Sequence, residues 1–528
     1  MNKENRRHPS AFEPGILLVN ILTSIVGVII GLELIVRIGI STNTSIIGAL
    51  LAIIVSKIPV KFFRTFKDVN SQNLIQTSIS GATFSAANSL LLPIGIPFVM
   101  GRPDLVMPLF VGVFFATVID VTIMYKSFDS QMFPAEEPWP PGIATAETIL
   151  AVANKGKKAV LLIVGAVGGI AGKMMGIPTD LFGVAWIGDF WALTAFGAGA
   201  LFIGYAPGAL GIDFKSMYLP HGIMIGAGMV ALIQAAIILF VKKDGQASAA
   251  GKFGNSMSSM KSALSKGFVA YIIVAMVLAV ISGLMDDMSV PMLIFWVVFA
   301  AFAAIASELI VGLSAMHSGW FPGFATALIF LLVGMLLGFP PMSLAILVGY
   351  TAATGPAFSD VGYDMKAGWI LRGRGQDIDF ELDGRKQQFY SELIGICVAG
   401  VMVFLFANKY FEQGLFAPVA KTYKTTIEAG ASPQIAKYLL MWAVPGAIIQ
   451  FIGGPSKQLG VLFATGLLVG NTMTGLTVLG ALAFRAIILK IKGKDAQDTL
   501  YILGAGFLTG AALYSFFTST FKLIMPKK

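Results

Sequence analysis

The chain has 528 residues, of which 56% are hydrophobic and only 12% are charged, and its mean hydropathy is +0.80. Soluble domains carry about twice this share of charged residues, so the composition excludes an ordinary soluble protein. The net charge of +9 resides in short segments between apolar runs, which indicates topology-setting loops rather than a nucleic-acid-binding surface. The single cysteine, Cys397, excludes an intramolecular disulfide, and no Cys/His spacing suggests a metal site.

Apolar segments of roughly the length needed to cross a hydrocarbon core of about 30 Å recur along the whole chain. In the first half they lie at 15–38, 44–60, 73–100, 105–125, 158–176, 182–206 and 217–241. In the second half they lie at 268–286, 289–313, 318–339, 342–359, 388–408, 435–453, 458–490 and 498–524. These runs predict an all-α polytopic membrane protein with about 14–16 transmembrane or re-entrant helices. The basic start "MNKENRRH" is followed by no cleavage site, which predicts a retained first helix and a cytoplasmic N-terminus.

A polar stretch at residues 242–266 separates the two sets of apolar segments. It is rich in Gly and Ser and contains five lysines, which is typical of a flexible linker on the cytoplasmic side. The sequence therefore predicts a first transmembrane repeat at 1–241 and a second at 267–528.

Two pairs of segments support an internal duplication. Residues 222–232 resemble 466–476, and residues 101–117 resemble 338–354 at a similar offset. Two matches in the same order predict two homologous repeats, an arrangement common among secondary transporters.

Each half of the chain contains one apolar segment more than the basic cytoplasmic loops allow if every segment crosses the membrane once. The surplus falls between the basic anchors at 158 and 242, and again between 388 and 490. Each surplus predicts a segment that enters the membrane and returns, or that is broken within it. Such a backbone is tolerated only where it lines a protein-enclosed cavity.

The stretch "FPAEEPWPPGIATAETI" at 133–149 is predicted to have two parts. Its prolines favour a stiff extended connector in which Trp139 serves as an interface anchor. From Gly142 onwards, small residues and one acid predict a half-helix that is too short to cross the membrane. A surface amphipathic turn is the alternative interpretation.

Ionisable side chains inside apolar runs mark functional sites in membrane proteins because their burial is costly. The sequence offers Glu33, Asp120, Glu147, Asp189, Glu308, Asp360, Asp364 and Glu392, with His221 and His317. The candidates for carrying a coupled proton are Glu33, Asp120, Glu147, Asp189 and Glu308. The alternative is solvation at helix ends, which applies most to Asp120, Asp360 and Asp364, whereas Glu33 and Asp189 lie mid-run. We expect His221 to be a polar group at a helix end rather than a metal ligand.

Residues 73–98 place polar and small side chains at every third or fourth position of an otherwise apolar segment. This pattern predicts either a cavity lining or close helix–helix packing, and one helix can serve both. The predicted substrate-binding residues are Gln76, Ser80, Asn88, Thr145, Glu147, Asp360, Tyr363, Asp364 and Lys366.

Three blocks resemble the oligopeptide transporter family, and within it the yellow-stripe-like branch that moves metal chelates. They are "NLIQTSISGATFSAANSLLLPIG" (73–95), "PWPPGIATAETI" (138–149) and "FSDVGYDMKAGWIL" (358–371). In the second block, Pro141 and Ile143 replace the Ser and Thr typical of the family, and "KIPVK" (57–61) only partly matches a motif of the peptide branch. The resemblance implies a compact, bacterial-type secondary carrier, typically proton-coupled, of small peptides or peptide-like metal chelates.

The predicted function is therefore proton-coupled transport across a plasma or inner membrane, without a resident metal or other cofactor. The expected partners are a small-molecule substrate, protons, the lipid bilayer and a second copy of the chain in a homodimer. No Walker loop for binding ATP is present. A channel is one alternative, although no filter sequence is present. An intramembrane hydrolase using Ser314 and His317 is another, and a non-transporting scaffold is the third.

Overall fold

The computed structural model describes residues 7–38, 45–46, 48–49, 52–53, 66, 68–153, 157–237, 257–430, 432–493 and 496–524. These residues are mostly helical and include no β-strand. Among them, nine helices are long and apolar enough to cross a membrane, and five shorter apolar helices accompany them. The prediction of an all-α polytopic membrane protein is confirmed.

The helices are numbered here in chain order. The first half contains α1 (Pro14–Ile38), α2 (Val69–Val99), α3 (Val106–Ser127), α4 (Pro140–Ala153), α5 (Lys157–Met174), α6 (Thr179–Ile187), α7 (Phe190–Leu210) and α8 (Leu219–Ala236). The second half begins with α9 (Met257–Ile281), α10 (Val290–Ser318), α11 (Gly323–Leu336), α12 (Pro341–Ala353), α13 (Pro356–Leu371) and α14 (Ile378–Glu412). It ends with α15 (Pro418–Ala429), α16 (Pro433–Lys457), α17 (Leu459–Val469), α18 (Thr472–Lys492) and α19 (Ala496–Ile524).

Helix α2 carries the predicted polar face and lies inside the protein, in contact with α1, α13 and α14. Asp68 caps its start by accepting hydrogen bonds from the backbone N–H groups of Asn70 and Ser71. Every side chain from Ser71 to Phe84 is buried. The next turn, Ser85–Leu91, is π-helical, a distortion that is often found at functional sites. The polar groups of α2 therefore face other helices rather than lipid.

The proline-rich connector differs from its prediction at Trp139. This residue is fully buried and not an interface anchor, because its indole Nε1 donates to the Pro134 carbonyl at 3.2 Å and its backbone N–H donates to the Met316 carbonyl at 2.9 Å. Its φ of 42° turns the chain sharply into α4. The helix then begins at Pro140, two residues earlier than predicted, because proline is well suited to a first helical turn.

Three short helices occur where broken or re-entrant segments were predicted. Helix α4 has 14 residues, α6 has nine and α17 has eleven. At a rise of about 1.5 Å per residue, even α4 extends only about 21 Å, which is less than the hydrocarbon core. Helix α17 follows a kink at Gly454, whose φ is 68°.

The predicted flexible linker at 242–266 is wrong at its C-terminal end. Residues 242–256 lie outside the described residues, but α9 has already begun at Met257. Met260 is buried, and the Ser130 hydroxyl lies 3.1 Å from its sulfur. This packing against the connector stabilises a helical turn that Ser and Lys alone did not predict. The stretch 57–61 also lies outside the described residues.

The two segment pairs that predicted a duplication differ in their local structure. Gly101 and Gly338 share positive φ angles of 79° and 83° just before a helix. Residues 222–232, in contrast, lie within α8, whereas residues 466–476 span the break at Gly470 between α17 and α18. The duplication stays a prediction.

Candidate functional site

Three buried carboxylates meet where α13 packs against α14 and α2. Asp360 and Asp364 are one helical turn apart on α13 and so share a face, and Glu392 approaches them from α14. One carboxylate oxygen of each lies within 4.8 Å of one from each of the others. At most 2% of any of these residues is exposed. The alternative of solvated helix-end positions is therefore wrong for Asp360 and Asp364.

The polar face of α2 provides hydrogen-bond donors to the two aspartates. Gln76 donates through Nε2 to Asp364 Oδ1 at 2.6 Å, and Ser80 donates to both oxygens of Asp360 at 2.9 Å. Ser45 adds a hydroxyl 2.7 Å from Asp364 Oδ1. The structure thus brings together four of the predicted residues. Ser45 was not predicted, because one serine at the start of an apolar run gives no sign of a partner more than 300 positions away.

Glu392 differs from the aspartates in its surroundings. Neither of its carboxylate oxygens has a hydrogen-bond donor among the described residues, and Asp364 Oδ2 also has none there. The carboxylate lies against Gly81 of α2, where any Cβ atom would overlap it. Glu392 was predicted to be an ionisable residue in an apolar run, but its place beside Asp360 and Asp364 depends on the packing of α14.

The spacing of these groups limits their total charge. At about 5 Å and an effective dielectric constant of about 20, two ionised carboxylates repel each other by about 3 kcal/mol. Three buried negative charges without a cation are therefore strongly disfavoured. The cluster is suited to binding positive charge, either as protons on its carboxylates or as a cation between them.

A second pair of buried acids lies at the start of α13. Asp120 of α3 accepts hydrogen bonds from the backbone N–H groups of Gly355 at 3.0 Å and Phe358 at 2.8 Å, so it caps this helix. Glu308 of α10 interacts electrostatically with Asp120 and accepts a hydrogen bond of 2.8 Å from the Tyr271 hydroxyl. Two buried carboxyl groups that repel each other disfavour a second negative charge, so the pair is suited to holding a proton. Asp120 is fully buried, so the solvated alternative is wrong for it too.

Two other proton-coupling candidates lie elsewhere. Glu33, near the end of α1, accepts a hydrogen bond of 2.7 Å from the Tyr410 hydroxyl. Asp189 lies within its apolar run as predicted, but at the break between α6 and α7, where it caps α7 by accepting from the Ala192 N–H at 2.7 Å. The helix breaks there because Gly188 and Asp189 both adopt extended backbone conformations.

Glu147 and Lys366 line one cavity of about 440 Å³. Glu136 and Arg374 add a second acid and a second base, and Trp369 adds an aromatic ring. The Lys366 ammonium donates to the carbonyls of Ala135 at 2.6 Å and Glu137 at 2.9 Å. The cavity therefore places charges of both signs beside the proline-rich connector.

The remaining residues predicted to bind substrate, Thr145, Tyr363 and Asn88, lie in two different parts of the structure. Thr145 of α4 and Tyr363 of α13 are buried, and neither hydroxyl has a hydrogen-bond partner among the described residues. A Cβ atom at Gly142 would overlap the Tyr363 carbonyl, which shows how closely α4 approaches α13. Asn88 lies apart from both sites and lines a separate cavity of about 250 Å³ with Trp320 and Tyr423.

A buried ionic network extends from the carboxylate cluster. Gln388 donates to the Asp364 carbonyl at 2.7 Å and accepts from Arg372 at 2.7 Å. Glu381 then binds Arg372 at 2.8 Å and Arg385 at 3.0 Å. This network ties the loop after α13 to the first turns of α14, and the sequence pattern did not predict it.

The histidines give no support to hydrolase chemistry. The Ser314 hydroxyl donates to the Trp320 carbonyl at 2.9 Å and not to His317, and neither ring nitrogen of His317 has a hydrogen-bond partner within the described part of the chain. His221 lies in the first turn of α8, so its predicted position at a helix end is confirmed.

A bundle of apolar helices around buried carboxylates and a charged cavity defines a polytopic membrane protein with charged groups in its interior. A sequence model of the family described as OPT oligopeptide transporter protein matches residues 246–522, and the chain belongs to this family. The family is one of membrane transporters of oligopeptides. A search of curated proteins finds no match to the chain.

Proposed function

We propose that the chain is a secondary active importer that couples the uptake of small oligopeptides, or of peptide-like metal chelates, to the entry of protons. The observation that carries this proposal is the buried cluster of Asp360, Asp364 and Glu392, whose oxygens lie within 4.8 Å of one another. Such a cluster holds protons in one state and releases them in another, because a change in packing or solvation alters the cost of its negative charges.

The charged cavity is the proposed substrate site. Glu136 and Glu147 suit the ammonium of a zwitterion, and Lys366 and Arg374 suit its carboxylate. Its volume of about 440 Å³ lies within the usual range for small-molecule pockets. Free peptides and amino-acid-derived chelates carry the same charged groups, so both belong in the transport assay.

Helix α13 connects the two sites. Asp364 belongs to the carboxylate cluster and Lys366 lines the cavity, yet only one residue lies between them. They point in nearly opposite directions from one helix. A small rotation or shift of α13 would therefore change both sites together, which coupled transport requires.

The Asp120–Glu308 pair supports a second place for a proton on the same helix. Asp120 holds the first turn of α13 through the Gly355 and Phe358 N–H groups. Loss or gain of a proton on this pair would alter the cap. Of the candidates for carrying a coupled proton, these two acids lie at the start of α13 and Glu147 shares a cavity with Lys366 of the same helix, whereas Asp189 and Glu33 serve a cap and a tyrosine contact.

The proposed membrane location, topology and assembly follow from the sequence predictions. The protein is proposed to lie in a plasma or inner membrane with its N-terminus and basic loops in the cytoplasm. The polar face of α2, including Asn88, lines the path, and two repeats move against each other around it. A homodimer is the proposed assembly.

Uptake by the purified protein in liposomes tests the proposal. A labelled tripeptide, and in parallel an iron chelate of an amino-acid-derived ligand, is supplied outside with the lumen at pH 7.5 and the outside at pH 6.0 or 7.5. The acidic exterior is expected to accelerate uptake of at least one substrate severalfold, and a protonophore should abolish the gain. Asp364→Asn should remove the gain, whereas Glu428→Gln, at an exposed position of α15, should retain it.

Uptake that is unaffected by the pH gradient would contradict proton coupling while leaving transport itself intact. Rapid, non-saturable flux of inorganic ions would favour a channel. Peptide cleavage that Ser314→Ala abolishes would favour a hydrolase.

A further inference from the structure

A groove of about 440 Å³ lies between the end of α3 and the beginning of α9. Apolar side chains, among them Ile119, Ile123 and Ala270, line much of it. Along the same helix, Val269 and Ile273 are each more than half exposed. In a protein of this class an apolar surface of that kind faces lipid, so the groove opens towards the hydrocarbon core.

Small residues of α9 create the groove. A Cβ atom at Gly267 would overlap Ile123 of α3, so this glycine sets the closest approach of the two helices. Ala263 and Ala270 lie nearly one turn to either side of Gly267, and their short side chains leave the space beside the contact unfilled. The result is an apolar groove beside the contact between the two helices.

The groove also contains positive charge. Lys126 lies at its α3 side and Lys266 at its α9 side, with the Ser262 hydroxyl nearby. Both lysines are exposed, and no acidic side chain in the described part of the chain forms an ion pair with either. Lys386 and one acid, Asp383, line an adjoining cavity together with Lys126, and Arg385 there is already paired with Glu381 and Asp129. The surroundings are therefore net positive.

The position of Lys266 makes its charge informative. It comes two positions before the apolar run 268–286, so it lies at the end of the apolar surface, where the lipid headgroups meet the hydrocarbon core. A lysine at that level attracts anionic headgroups. A phosphate whose attached chains fill the apolar groove fits both the charge and the apolar lining.

We propose that this groove binds an anionic glycerophospholipid, with the phosphate between Lys126 and Lys266 and one acyl chain along Ile119, Ile123 and Ala270. Basic pockets at the ends of membrane helices bind anionic headgroups in this way. The site is independent of the proposed transport function, because it lies on the outer face of the bundle and none of the residues of the candidate functional site line it.

Native mass spectrometry of the detergent-purified full chain provides the test. The probes are phosphatidylglycerol, phosphatidylcholine with the same acyl chains, and inorganic phosphate. Phosphatidylglycerol is expected to be retained preferentially. Each lysine is expected to contribute about fivefold in affinity, so Lys126→Gln combined with Lys266→Gln should weaken binding by about 30-fold. The matched control, Lys490→Gln with Lys492→Gln at the end of α18, removes the same charge elsewhere and should leave binding unchanged.

A second arm tests the acyl chain without changing the charge. Ala270→Phe, or Ala263→Leu if the first variant fails to fold, fills the groove and should also weaken phosphatidylglycerol binding. Equal retention of phosphatidylcholine, equal losses in the control variant, or binding that persists in the filled groove would each overturn the proposal. Tight binding of inorganic phosphate alone would likewise overturn it, since the headgroup would then suffice without the chain.

Discussion

Glu392 of α14 and Gly81 of α2 face each other across a helix interface in which only glycine fits. A Cβ atom at position 81 would overlap both carboxylate oxygens of Glu392. Gly395, one turn further along α14, packs equally tightly against the backbone of α2. This close approach places the Glu392 carboxylate beside Asp360 and Asp364, so the geometry of the cluster depends on two glycines with no chemistry of their own.

Substituting Gly81 should therefore impair transport without removing any functional group. Gly81→Ala forces α2 and α14 apart or displaces the Glu392 carboxylate, and an overpacked core typically costs about 1–3 kcal/mol. We expect proton-driven uptake in liposomes to fall by roughly tenfold, since about 1.4 kcal/mol corresponds to that factor. Gly480→Ala is the control, because nothing lies near its added Cβ atom, and it should slightly stabilise α18. Equal uptake by both variants would contradict the proposed importance of this contact.

Neutralising Glu392 should raise the stability of the protein and lower its transport activity. Glu392→Gln keeps the shape of the side chain but removes one of three mutually repelling carboxylates, so the melting temperature in detergent should rise. Uptake driven by a pH gradient should fall by roughly tenfold or more, since an intramembrane acid of this kind serves function at a cost in stability. A variant that is destabilised, yet transports normally, would show that Glu392 is a structural residue.

The residue types of the site were predictable, whereas its assembly was not. Acids in apolar runs, such as Asp360 and Asp364, stand out because burial is costly, and the polar face of α2 stands out by its helical spacing. The position of Glu392 and the contribution of Ser45 depend on contacts between distant parts of the chain, which no local pattern encodes.

The errors at the connector have a similar cause. Trp139 is apolar with one polar edge, and such a residue suits a membrane interface as well as a buried position. Its burial follows from a positive φ and from the distant Met316 carbonyl. A broken segment was predicted between 158 and 242, but the apolar run 182–206 does not show that the break falls at Gly188 and Asp189.

The charged cavity predicts a specific preference for free amino termini. If Glu147 binds the substrate ammonium, Glu147→Gln should raise KM for a tripeptide by about tenfold, since a hydrogen bond to a charged group is worth about 1.5–3 kcal/mol. The wild type should discriminate against the N-acetylated tripeptide, and the variant should lose this discrimination. Competition uptake with both peptides measures the ratio, and Glu428→Gln is the charge-matched control. Unchanged discrimination would exclude Glu147 as the ammonium site.

The ionic network around Glu381 predicts a large effect on stability. Glu381→Gln removes the charge that binds Arg372 and Arg385, both of which are buried, and a broken buried pair typically costs about 3–5 kcal/mol. We expect a clearly lower unfolding temperature in detergent. The exposed pair of Arg102 and Asp104 provides the control, since Asp104→Asn should give no measurable change. A small effect at Glu381 would show that water reaches the network.

The N-terminal segment should respond to acid through His8. Its ring is buried, lies tilted against the Phe380 ring at 5.3 Å between centroids and donates through Nδ1 to the Pro9 carbonyl. Nε2 has no hydrogen-bond partner in the described residues. Burial, assisted by the positive charge of Arg372, lowers the pKa of His8 to about 4, although Asp383 and Asp68 act in the opposite direction. In the unfolded chain the pKa returns to about 6.5. Between these two pH values the unfolded state binds more protons than the folded state. The contribution of neutral His8 to the free energy of unfolding is therefore fully present above about pH 6.5 and is lost as the pH falls towards 4, by at most about 3 kcal/mol.

Thermal unfolding of the wild type and of His8→Phe between pH 7.5 and 4.5 measures this effect. The variant should lose less stability over that range, because a phenyl ring occupies the same site without binding a proton. Parallel pH profiles for the two proteins would assign the acid response to other groups.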